Sequence, residues 1–109
     1  MKLTNTLLDV YFTAFKNKDI EAVASILSDD VVLLDWVSSA VGKTNVLRIF
    51  TNIFETFKSI DVDIIDVITE GNRFSIELLI VLDETRVKVI DVIHTRDNKI
   101  TKINAFKQA

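Results

Sequence analysis

The chain has no cysteine. That absence excludes disulfides, cysteine-ligated zinc and thiolate catalysis. Its one histidine, His94, cannot build a histidine-rich site, so no metal and no cofactor is expected. Positive charge is also in short supply: 13 Lys and Arg face 16 Asp and Glu, the net charge is −3, and no basic stripe stands out. Phosphate neutralisation normally needs clustered cations, so nucleic acid is not an expected partner. Long hydrophobic runs are missing as well. The longest uncharged apolar stretch, Leu78 to Leu82, is far below the roughly 20 residues that a membrane helix requires, so no membrane partner is expected. Met1 to Thr6 lead into an amphipathic pattern and not a signal-peptide core. The expectation is a soluble, cytoplasmic protein.

What is present points to a compact fold. With 109 residues, 49% of them hydrophobic and 27% charged, the sequence suits one domain over residues 1–109. The run Asp29-Asp30-Val31-Val32-Leu33-Leu34-Asp35 reads as a buried strand that closes on a lone carboxylate. Side chains alternate along a strand, so Asp35 shares a face with Val31 and Leu33. It is either a surface terminator or a base at the rim of a pocket.

Before that strand, Leu7, Leu8, Tyr11, Phe12, Ala14 and Phe15 form a helical stripe, with Thr4 or Thr6 as the expected cap. Tyr11 points inward, and its hydroxyl then needs a partner, which for a core tyrosine is expected to be a backbone carbonyl. Asp19 caps a short second helix carrying Ile20, Val23, Ala24 and Leu27 on its apolar side. After Asp35, the segment Trp36 to Lys43 reads as a loop bending at Gly42, with Trp36 either covering a pocket or anchoring the loop onto the core. A third helix, capped by Thr44 or Asn45, follows with the stripe Val46, Ile49, Phe50, Ile53, Phe54 and Phe57.

From Ile60 the period changes to two. Strands are expected at Ile60–Thr69, Arg73–Asp83, Thr85–Thr95 and Lys99–Lys107, separated by turns at Glu70-Gly71-Asn72, Asp83-Glu84 and Asp97-Asn98. Asp91 falls on the apolar face with Val87, Val89 and Ile93, away from the cations of its own strand. Desolvation there should raise its pKa above the reference of about 3.9 and make a neutral, hydrogen-bond-donating carboxyl accessible. His94 falls on the outer face. So do Leu79, Val81, Ile90 and Val92, which predicts a homodimer through that face.

A helix pair, a strand, a third helix and a run of antiparallel strands resembles the nuclear transport factor 2-like superfamily, the cystatin-like α+β cones. Tyr11 to Asp19, Ile26 to Val31, Asp35 and Gly42-Lys43 carry the likeness. It implies an α+β fold in which three N-terminal helices pack in the concave face of a curved, mostly antiparallel sheet. The functional likeness is to ketosteroid isomerase and to SnoaL-like proteins. It places a catalytic tyrosine on Tyr11, a base on Asp35 and a protonated acid on Asp91, although Trp36 stands where the isomerase family has proline. It implies abstraction of a proton α to a carbonyl of a small hydrophobic ligand, with Trp36, Phe50, Phe54, Leu78, Ile80, Val89, Ile103 and Ala105 as ligand-binding walls. A non-catalytic small-molecule-binding or dimerisation module, and polyketide-cyclase-like aldol chemistry, are the alternatives on the same fold.

Overall fold

Helix α1 (Thr6–Lys16) begins because the Asn5 side chain accepts the Leu8 N–H at 3.1 Å. These residues belong to a computed structural model that describes residues 5–108. Thr6 is the first helical residue and not the cap, and Thr4 lies outside the described residues. The chain reverses at Lys18, whose φ is 56°, and Asp19 accepts the Ala22 N–H at 3.1 Å to start α2 (Ile20–Ile26). The Lys18 ammonium donates to the Phe57 carbonyl at 2.7 Å, tying this junction to the exit of the third helix.

Strand β1 (Leu27–Leu34) starts directly after α2, two residues earlier than Asp29-Asp30 suggest, with a register irregularity between Leu27 and Val32. The expected loop after Asp35 contains a further strand. β2 (Ser39–Val41) folds back on β1, pairing Leu34 with Ser39 and Val32 with Val41. Helix α3 (Lys43–Thr56) is capped by Gly42, not by Thr44 or Asn45. Gly42 has φ 91°, a backbone state that side chains disfavour, and its N–H donates to the Val31 carbonyl at 2.8 Å. Backbone geometry therefore decided the helix start.

Four long strands follow: β3 (Ile60–Glu70), β4 (Arg73–Leu82), β5 (Thr85–Arg96) and β6 (Lys99–Lys107). All lie within one residue of the expected limits. The sheet order is β2-β1-β6-β5-β4-β3, with every pair antiparallel except β1 and β6. Bulges between Ile64 and Asp66 and between His94 and Thr95 bend the sheet, and the helices fill its concave side. Leu8, Ile76, Leu78, Ile93, Ile100 and Ile103 are fully or almost fully buried there, each contributing roughly 1.5–3 kcal/mol. The fold is the α+β cone, and its one parallel pair sets the site.

Candidate active site

Leu33 and Leu34 of β1 lie level with Ile103 and Asn104 of β6, so Asp35 continues level with Ala105. Ala105 in turn pairs with Asp91 of β5. Asp35, Ala105 and Asp91 thus form a row across three neighbouring strands, all on the concave face. Adjacent strands lie about 4.8 Å apart, which separates the two aspartate backbones by roughly 10 Å. The smallest side chain of the row stands between the carboxyls and leaves the space above it open.

That space is a cavity of about 410 Å³. Tyr11, Asp35 and Asp91 all border it, so the three sequence-derived catalytic candidates converge on one volume. Of the expected wall residues, Trp36, Phe50, Ile80, Val89, Ile103 and Ala105 line it, but Phe54 and Leu78 do not. Phe54 turns instead into an aromatic cluster, with its ring centroid 5.8 Å from Phe15 and 6.2 Å from Phe50. Leu78, 0% exposed, is enclosed by the solid core. Residue parity identifies a face of a strand or helix. It does not say which row of that face stays uncovered.

Tyr11 reaches the cavity from α1 with its ring edge-on to Phe50 at 6.1 Å and to Phe12 at 4.9 Å. Among the described residues, neither its hydroxyl nor the Asp91 carboxyl has a hydrogen-bond partner, and no cation faces Asp91 in an ion pair. Burial therefore raises the Asp91 pKa from 3.8 to about 7, with the Asp35 charge adding to the rise. Burial likewise holds the Tyr11 hydroxyl well above 10.0, helped by the charges of Asp91 and then Asp35. Both groups keep their protons over the lower physiological range. Both can donate.

Asp35 differs in its surroundings. It is half-buried at the end of β1, its N–H donates to the Ser38 carbonyl at 2.9 Å, and its Oδ1 accepts the Val37 N–H at 2.9 Å. One carboxylate oxygen is held by the loop and the other has no hydrogen-bond partner among the described residues. The cavity thus holds two carboxyls in unlike surroundings, Asp91 buried and without a hydrogen-bond partner among the described residues and Asp35 half-buried and bonded to its own loop. His94 is on the outer face, in register with Arg73 and Lys102, and its pKa is lowered by partial burial and by those two charges. Among the described residues no group of three potential metal ligands occurs, and no helix is long and apolar enough to cross a membrane.

Asn52, Thr56, Ser38 and Lys107 also border the cavity and escaped the sequence reading. Asn52 and Thr56 lie off the apolar stripe of α3. Lys107 carried a usable signal, because it shares inward parity with Ile103 and Ala105.

The buried Asp91 has a measurable consequence. Between pH 3.8 and about 7 the unfolded chain has released this proton while the native chain keeps it, so stability falls as pH rises through that window. The full loss is on the order of 4 kcal/mol, present above pH 7 and absent below pH 4. Asp91→Asn should remove that slope, making the variant more stable than the wild type at pH 8 but not at pH 4 in urea denaturation. Equal pH profiles for the two proteins would place Asp91 in contact with solvent.

A family model described as the SnoaL-like domain matches residues 8–103. No curated protein matches the sequence. Similar solved structures include a candidate polyketide cyclase from Sinorhizobium meliloti, at 14% identity and TM-score 0.84, covering 94% of this chain and 94% of that one. A Catenulispora acidiphila protein with a ketosteroid isomerase-like fold, in complex with trimethylamine, has 14% identity and TM-score 0.84, covering 95% and 86%. An LEH-like epoxide hydrolase from M. tuberculosis has 20% identity and TM-score 0.77, covering 94% and 80%. At such identities these three structures speak to the fold alone, whereas the family model spans most of the sequence. The chain belongs to the SnoaL-like domain family, and it has the fold of nuclear transport factor 2-like proteins.

Proposed function

We propose that the cavity moves a proton α to a carbonyl of a small hydrophobic ligand. Asp35 takes the proton as general base, while Tyr11 and protonated Asp91 donate hydrogen bonds to the oxygen that gains negative charge. The observation that carries this reading is the convergence of three polar side chains, two of them unpartnered, on one largely apolar cavity. Keeping unpaired polar groups in such a place is costly unless a ligand uses them. The open space above Ala105 would receive the reacting carbon, within reach of a base on one side and a donor on the other. The same groups would serve an aldol closure of the polyketide-cyclase kind. A non-catalytic binding role finds support in the hydrogen bond that engages Asp35 Oδ1 within its own loop.

Isomerisation of a β,γ-unsaturated ketone, followed by absorbance of the conjugated product, tests the enzymatic reading. Asp35→Asn keeps the shape of the side chain but cannot accept the proton, so turnover should fall by several orders of magnitude while ligand binding persists. Tyr11→Phe should lose about 3–4 kcal/mol of transition-state stabilisation. Binding without turnover in the wild type, together with an inert Asp35→Asn, would leave the binding-module reading.

We further propose that the chain works as a homodimer joined through the outer face of the sheet. Leu34, Val41 and Phe106 are exposed on that face, continuous with half-buried Leu79, Val81, Ile90 and Val92. Sedimentation at micromolar concentration should return a dimer, and Phe106→Asp should weaken it. A wild-type monomer under the same conditions would refute the proposal.

A further inference from the structure

The cavity is chemically uneven along its length. Tyr11 and Asp91, both buried, offer protonated donors, Val89 level with Lys107 and Ile80 and Val87 one row beyond give apolar walls, and Lys107, exposed, stands at the mouth. Ile103, Ala105 and Lys107 are successive inward positions of β6, so Lys107 lies two residues beyond the row of Asp35 and Asp91. At about 3.4 Å per residue, its backbone is roughly 7 Å nearer the mouth than that row. Its backbone is held against β5: Lys107 pairs with Val89, and the next N–H, that of Gln108, donates to the Lys88 carbonyl at 2.9 Å.

Lys107 is the one basic residue among the described residues that border the cavity, and its ammonium makes no ion pair or hydrogen bond there. Away from the cavity, Lys16 pairs with Asp61 at 3.3 Å and Lys99 donates to the Ser25 carbonyl. From α3, Asn52 also borders the cavity, with its side-chain amide unpartnered among the described residues, whereas the Thr56 hydroxyl already donates to the Asn52 carbonyl at 2.6 Å. The mouth thus presents a free cation and a free amide to whatever fills an apolar channel ending on two hydrogen-bond donors.

We infer that the ligand is amphiphilic: a flat apolar body with a carbonyl at the deep end and an anionic group at the mouth, held by Lys107. The inference rests on the cavity being a ligand site, as in the proposed function, and adds the class of ligand. The rows behind carbonyl and anion are roughly 7 Å apart along the strand, a separation that a fused-ring or extended chain ligand spans. A lysine suits this task, since it makes a flexible point-charge contact to a carboxylate, sulfate or phosphate without demanding one geometry. The contact also offsets the repulsion that Asp35, at the same end of the sheet, would exert on an incoming anion.

A matched pair of fluorescent probes tests this directly. Anilinonaphthalene sulfonate and phenylnaphthylamine share an aromatic body and differ in the sulfonate, and Trp36, the single tryptophan, borders the cavity and reports occupancy by quenching. The wild type should bind the anionic probe more tightly, and added salt should weaken that preference. Lys107→Gln should weaken the anionic probe roughly five- to twentyfold while changing the neutral probe less than about twofold, and Lys107→Arg should restore the preference. Parallel loss of both probes, no loss of either, or failure of both to quench Trp36 would overturn the inference. An inactive protein that keeps the Lys107-dependent preference would refute the isomerase reading and leave this one standing. Turnover of a neutral ketone without the preference would do the reverse.

Discussion

The parallel pairing of β1 with β6 is the constraint on which the site depends. Every other neighbouring pair in the sheet is antiparallel and joins strands adjacent in sequence or a hairpin. This one brings the end of β1 against the last strand, and it sets Asp35 level with Ala105 and Asp91. Shifting β1 by one residue would turn Asp35 to the outer face with Leu34, because side chains alternate along a strand. The register is pinned from both sides. Val31 and Leu33 are buried in the core, and the Gly42 N–H bonds back to the Val31 carbonyl as the chain enters α3.

The second constraint is electrostatic. Asp91 sits 6% exposed among apolar side chains with no cation paired to it, and Asp35 lies two strands away as a source of negative charge. A low-dielectric surrounding disfavours a second charge, so Asp91 holds its proton and Tyr11 holds its own. The cost of keeping these groups is offset by the large aliphatic core beneath them. Two identical side chains in one row thus have unlike surroundings, one half-buried and bonded to its loop, the other buried among apolar side chains.

Much of this was legible from the sequence because the periodicities are strong. Period-two parity alone placed Asp91, Val89 and Ile93 inward, and the stripe from Val46 to Phe57 defined α3. The misses have physical causes. β2 is three residues long, too short to display a period, and the pairing that creates it is tertiary. The start of α3 is fixed by the positive φ of Gly42, which side-chain capping preferences do not register. Phe54 and Leu78 face the correct side but are covered by neighbours, a matter of three-dimensional packing. Lys107 shares the parity of Ala105, but a period read from apolar residues does not register a lysine.

Burial and the Asp35 charge together keep Asp91 a protonated acid within the cavity. Carbon-13 NMR titration of the Asp91 carboxyl, in the wild type and in Asp35→Asn, measures it most directly. The account predicts a midpoint near 7 in the wild type and a lower one in the variant, because the Asp35 charge contributes to the rise. A wild-type midpoint in the ordinary aspartate range, unmoved by Asp35→Asn, would contradict both the burial and the coupling.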